Sequence, residues 1–218
     1  MDATAVSLNV TVTEPDQPGF VTVYPCGTLP TASSLNFVAG QTVPNAVLAP
    51  ISGRGTVCFH SNTRAHLLAD VNGWFEAGSG YTSLTPQRVF DTRPDEPAVL
   101  NVGRTKIGPG RILEIDVRSL AAVPDSGVSA VSLNVTATQP DGSGFVTVYP
   151  CGTLREVSSL NFVAGQTTPN AVIAPLSPTG TVCFYSNVPT HLLADINGWF
   201  TTGSGYTPLD PQRLFDTR

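Results

Sequence analysis

The sequence predicts an all-β protein: an antiparallel β-sandwich of jelly-roll type, written twice as a tandem repeat of 125 residues. Three observations predict it. Residues 6–93 align without a gap with residues 131–218, and about three quarters of the pairs are identical. The chain carries 20 Gly and 19 Pro against only 12 % charged residues, a composition rich in turns and poor in surface helix. Its apolar residues alternate with period two over short runs bounded by Gly, Pro or Asn, the pattern of half-buried strands.

In the first copy Val6, Leu8, Val10 and Val12 fall on one face of a strand, with Ser7, Asn9, Thr11 and Thr13 on the other. Further strands are expected at 19–24, 34–39, 45–51, 55–60, 66–75 and 88–93. The linking segment adds 111–118, where Leu113, Ile115 and Val117 oppose Glu114, Asp116 and Arg118. About eight strands per period suit two packed sheets whose inward side chains form one core. An immunoglobulin-like sandwich is the alternative, disfavoured because the cysteines and tryptophan do not follow the order Cys, Trp, Cys. Only 119–122 reads weakly as helix. The copies differ mainly at 16–18, 30–32 and 53–54 and their counterparts, as surface loops should.

This pattern divides the chain into an incomplete first module at 1–80, a complete module at 81–200, and a strand segment at 201–218 equivalent to 76–93. The segment from Tyr206 onward is expected to pair with the incomplete module. It can do so within one chain or between neighbouring chains by strand addition, which would make a homo-oligomer. A competing division ends each module at Asp-Thr-Arg and makes 94–218 the complete one.

Each copy carries two cysteines, Cys26 and Cys58 in the first, Cys151 and Cys183 in the second. Four cysteines allow three connectivities, and the repeat favours pairing within each copy. Such bridges imply an oxidising, extracellular setting. Zinc is the rival reading, but the cysteines lack close paired spacing. No metal or cofactor is expected.

The net charge of −5 comes with no basic cluster, which argues against nucleic acid and anionic membranes as partners. No apolar run approaches the roughly 18 residues of a membrane span. Met1-Asp2-Ala3 does not resemble a signal peptide, and because the chain begins inside a repeat this says little about export.

The ordered set GFVTVYPCGTL, SSLNFVAGQT, PNAV, GTVCF, LLADVNGWF and PQRVFDTR, present twice, resembles an uncharacterised repeat module of large secreted and surface proteins in actinobacteria and neighbouring phyla. The resemblance covers almost the whole chain. Modules of that kind are appended to secreted hydrolases or set in arrays, which implies attachment or spacing and supplies no catalytic residues.

Few ionisable groups occur in both copies: Asp16 and Asp141, His66 and His191, Asp70 and Asp195, Arg88 and Arg213, Asp91 and Asp216, Arg93 and Arg218. Alternation along 66–75 puts His66, Leu68, Asp70, Asn72 and Trp74 on one face. His66 and Asp70 are then about 13 Å apart, too far for an acid/base pair. Flanked by Leu67, Leu68, Ala69 and Val71, Asp70 needs a partner if buried, and Arg88 or Arg93 is the expected one. The alternative is a glycan-active hydrolase using the Asp70 and Asp91 carboxylates as acid and base. No nucleophile elbow, metalloprotease motif or phosphate loop is present.

Binding rests on aromatics. Phe20, Thr22 and Tyr24 share a face, and Trp74 and Tyr81, with Trp199 and Tyr206 in the second copy, are candidates to stack on sugar rings while Asp70 and Asp195 bond hydroxyls. The turns at 15–19 and 140–144 have too few carboxylates for calcium. The sequons at Asn9 and Asn134 lie mid-strand and read as incidental. The expected function is a non-catalytic extracellular module for adhesion, spacing or carbohydrate attachment.

Overall fold

The computed structural model describes residues 3–120, 122–155, 157–213, 215 and 217. The described residues form fourteen strands and one 3₁₀ turn, arranged in four antiparallel sheets. The N-terminal strands are β1 (Ala3–Thr13), β2 (Gly19–Pro25), β3 (Leu35–Phe37), β4 (Val43–Pro50), β5 (Val57–Ser61) and β6 (His66–Glu76). They make two three-stranded sheets, ordered β4-β1-β6 and β3-β2-β5. The remainder is β7 (Tyr81–Asp91), β8 (Ile112–Asp116), β9 (Val128–Thr138), β10 (Gly144–Pro150), β11 (Leu160–Phe162), β12 (Thr168–Pro175), β13 (Thr181–Ser186) and β14 (His191–Thr201). These make two four-stranded sheets, β12-β9-β14-β7 and β11-β10-β13-β8.

The same pairings therefore occur twice. Val6 opposes Ala49 as Val131 opposes Ala174, and Tyr24 opposes Cys58 as Tyr149 opposes Cys183. Each half is sandwich-like because alternation turns one face of both its sheets inward. The larger core joins Val131, Leu133 and Val135 of β9 and Ile196 of β14 to Val146, Val148, Phe184 and Ile115 of the facing sheet. The smaller one joins Leu8, Val10 and Val12 of β1 to Val21, Val23 and Leu35.

The two halves differ because β7 and β8 pair only with strands of the second. β7 follows β6 in sequence yet pairs with β14, placing Leu193 opposite Asp91 and Phe200 opposite Tyr81. Among the described residues, no strand takes the equivalent place beside β6. The consequence is plain in two nearly identical segments. Leu68, Val71 and Trp74 of β6 are 51 %, 67 % and 54 % exposed, whereas Leu193 and Ile196 of β14 are 4 % and 1 % exposed.

The strand expected at 88–93 begins earlier, at Tyr81. Pro86 does not interrupt it, since it lies in a register irregularity between Ser83 and Gln87 where no ladder bond is required of it. The strand expected at 111–118 stops at Asp116, whose carboxylate accepts from the Arg118 amide at 3.1 Å and turns the chain into the 3₁₀ turn Val117–Ser119. The segment expected as a strand over 201–218 can be followed only through its described residues. Residue 201 ends β14, and the described residues from 202 onward carry no strand. The tail is held elsewhere, with Tyr206 against Phe200 and Asp210 paired to Arg155. Asp216 and Arg218 lie outside the described residues.

Disulfides join Cys26 to Cys58 and Cys151 to Cys183, each pair 32 residues apart with Cα atoms 4.9 Å apart. Each ties the strand end carrying Tyr24 or Tyr149 to its neighbour in the same sheet. No helix among the described residues is long and apolar enough to cross a membrane.

Candidate functional site

Four of the ionisable residues shared by the two copies, Arg88, Asp91, Arg93 and Asp195, meet beside the junction between the halves. β7 and β14 run antiparallel, and the pairing of Arg88 with Asp195 puts both side chains on the outer face of the second module's sheet. There Arg88 donates through Nε to Asp195 Oδ1 at 2.6 Å and through Nη1 to Asp91 Oδ2 at 2.8 Å. Arg93 binds the same Asp91 with Nε and Nη2, and its own amide donates to Asp91 Oδ1 at 2.9 Å. The bond to Asp91 holds the Arg93 guanidinium above its ordinary pKa.

Both carboxylates are closed to water. Burial pushes Asp195 up to about 6, against the opposing pull of Arg88. Its Oδ2 is buried with no hydrogen-bond partner among the described residues, which agrees with that direction. Nearby, His191 is also buried, which lowers its pKa; its Nδ1 lies 3.2 Å from Thr92 Oγ1.

The lid over this network comes from the first half. Asn134 on β9 sits opposite Asp195, and its Nδ2 donates to the Ser33 carbonyl at 2.6 Å. Asn45 on β4 donates to Asn134 Oδ1 at 2.9 Å and accepts from the Ala171 amide at 3.0 Å. Beside these bonds lies a cleft of about 330 Å³, lined by Phe20, Leu29, Thr31, Arg88, Glu96 and Leu193 among others. A second contact is aromatic: Phe75, Tyr81, Phe200 and Tyr206 stack in series with centroid separations of 4.5, 4.8 and 4.6 Å.

The structure thus separates the residues singled out in the sequence. Asp195 meets Arg88, while Asp70 is exposed and makes no hydrogen bond or ion pair among the described residues. Asp91 is joined through Arg88 to Asp195, not to Asp70. Trp74 does not share a face with Asp70. The register shifts between Val71 and Gly73, so Trp74 opposes the inward Val6 while Asp70 opposes the outward Asn9. Trp199 is turned inward in the same way and packs against the larger core. Tyr81 is buried, its hydroxyl donating to the Asn197 carbonyl at 3.2 Å, and Tyr206 is half-buried on Phe200. Of the residues expected to share a face on β2, Phe20 lines the junction cleft and Thr22 is fixed by its bond to the Ala32 carbonyl at 2.6 Å.

Asn45, Asn134 and Ser33 were not among the sequence candidates. Asn45 carried a signal, because it stands in line with Val43, Val47 and Ala49 on the inward face of its strand, a position that alternation reserves for apolar residues. Asn134 stood out only as an incidental sequon, sitting with Ser132 and Thr136 on a face that reads as solvated.

Comparison of the chain with family models, with curated proteins and with solved structures finds no match.

Proposed function

We propose that this chain is a non-catalytic extracellular module of jelly-roll type, repeated in tandem, that serves adhesion, spacing or carbohydrate attachment. The observation that carries the reading is the closed junction. Asn134 bonds Ser33 and Asn45 across the junction, and directly beside it Arg88, Asp91 and Asp195, drawn like Asn134 from motifs present in both copies, bond one another with the carboxylates shut away from water. A rigid joint of this kind sets the distance and angle between repeats. Two disulfides add the resistance to unfolding that an exported module needs. Trp74 and Asp70, exposed on opposite faces of β6, are the groups left to meet a glycan.

A glycan array combined with a hydrolysis screen on cell-wall and plant polysaccharides tests this. Retention on one insoluble polysaccharide, weakened by Trp74→Ala, supports attachment, and no retention supports spacing. Turnover abolished by Asp70→Asn together with Asp195→Asn would overturn the reading in favour of a glycan hydrolase.

A further inference from the structure

The C-terminal tail repeats, on the second half, the path that β7 takes across the first. The junction cleft holds Arg88 beside Phe20, Leu29, Ser33 and Asn36. A second groove holds Arg213 beside Phe145, Leu154, Ser158 and Asn161, every one of them 125 residues further along. The stack agrees: Tyr206 lies 4.6 Å from Phe200 as Tyr81 lies 4.5 Å from Phe75. Asn170 already donates to the Ser159 carbonyl at 2.6 Å, as Asn45 does to that of Ser34 at 2.7 Å. The ion pair between Arg155 and Asp210 holds the tail in place. One surface of the internal junction is thus assembled a second time at the C-terminal end.

The matching surface is exposed at the other end. Among the described residues β6 has an unpaired edge, and on it and on β1 stand Asp70 and Asn9, the counterparts of Asp195 and Asn134. Gly73 is the counterpart of Gly198. An added Cβ at Gly198 would meet the Thr82 carbonyl at 2.5 Å and a Tyr81 ring carbon at 2.6 Å, whereas at Gly73 it would meet nothing within 4 Å. The space that Tyr81 fills beside β14 is open beside β6.

From these two surfaces we infer that the chain assembles head to tail with a second copy of itself. The tail of one copy, residues 206–213, adds as a strand to β6 of the next and reproduces the internal junction. Tyr206 closes on the partner's Phe75, and Arg213 meets the partner's Asp70. Asn170 and the Ser158 carbonyl bond the partner's Asn9. Leu154 covers the partner's Leu68, which is exposed in the single chain. Pro208 stands where β7 has Ser83 and offers no N–H, so the added strand is anchored at its two ends. The contact joins unlike surfaces and leaves both free at the ends of the assembly, so it does not close on a dimer.

Sedimentation velocity of the full chain over a rising concentration series tests this. Expected are species that grow beyond the dimer. Gly73→Ala, harmless within the chain, should weaken association roughly tenfold or more, as should truncation after Gly205. Asp70→Arg and Arg213→Asp should each weaken it similarly, and the two changes on one chain should restore it. A chain that stays monomeric throughout overturns the inference, as does association unmoved by Gly73→Ala and by the truncation. Glycan retention by a monomeric chain would leave the attachment reading standing while removing the assembly.

Discussion

Arg88 and Asp195 lie 107 residues apart in the sequence and meet at 2.6 Å, with Asp91 on the other arm of the same guanidinium. Removing the arginine strands the buried Asp195 and leaves Asp91 to Arg93 alone, so Arg88→Ala is expected to cost about 3–5 kcal/mol. Arg88→Lys keeps the charge but cannot reach both acids with a planar fork, and should recover only part of that. Denaturant unfolding of the full chain measures both. A loss below about 1 kcal/mol for Arg88→Ala would mean that the pair contributes as little as a surface ion pair.

Asp195 also sets a pH dependence. Its pKa is raised from 3.8 to about 6 by burial, so between those values the folded chain holds a proton that the unfolded chain releases. The associated stability is fully present below about 3.8 and is lost as pH rises through about 6, by at most about 3 kcal/mol. The stability of the wild-type chain minus that of Asp195→Asn should therefore fall from pH 4 to pH 7. Taking the difference cancels His191, whose lowered pKa acts in the opposite sense. A flat difference across that range would contradict the shift.

Asn45 spans the junction. Its side chain bonds Ser34, Asn134 and the amide of Ala171. Asn45→Ala leaves a buried amide without an acceptor and is expected to cost about 2 kcal/mol. Hydrogen exchange resolved to the residue should show the Ala171 amide losing protection roughly tenfold or more, beyond the change elsewhere on β12. Asn45→Asp, which can still accept from Ala171, should preserve that amide while losing the bond to Asn134.

The two disulfides close loops of equal length around unequal cores. Nine buried apolar residues make up the smaller core and twenty-one the larger among the described residues. A crosslink of 32 residues contributes on the order of 3–4 kcal/mol in the chain-entropy model. Replacing Cys26 and Cys58 by serine should therefore unfold the first half at moderate temperature, with limited proteolysis cutting within residues 3–76. The same change at Cys151 and Cys183 should lower stability yet leave the second half folded. Equal proteolysis of both halves in the first variant would show that they unfold as one unit.

Much of this architecture was legible because alternation and the repeat are local signals. The strands from β1 to β6 and the pairing of the cysteines follow from them directly. What was not legible depends on contacts distant in sequence. The inward turn of Trp74 and Trp199 comes from one extra residue, Asn72 or Asn197, in a register that only the neighbouring strand defines. Arg88 was recognisable as a partner for an aspartate, but nothing local says that β7 leaves the strand it follows and pairs with β14. The same residues, His66 to Asp70 and His191 to Asp195, are consequently exposed in one copy and buried in the other.

Gly73 and Gly198 give the most direct measure of that difference. They occupy the same place in the motif Asn-Gly-Trp-Phe, at the same register irregularity, so strand propensity and unfolded-state entropy treat them alike. Their surroundings differ. Gly198 is pressed by β7, where an added methyl would fall at 2.5 Å from the Thr82 carbonyl and at 2.6 Å from the Tyr81 ring. Neither can move aside freely, since Tyr81 is packed between Phe75 and Phe200 and its hydroxyl is bonded to Asn197. Gly198→Ala is therefore expected to cost about 2–3 kcal/mol, as overpacking in a filled core does. Gly73→Ala should be neutral or gain a few tenths of a kcal/mol from the reduced freedom of the unfolded chain. Thermal and urea unfolding at a concentration where the chain is monomeric would read both, and equal effects at the two sites would show that β7 does not press on Gly198 as described.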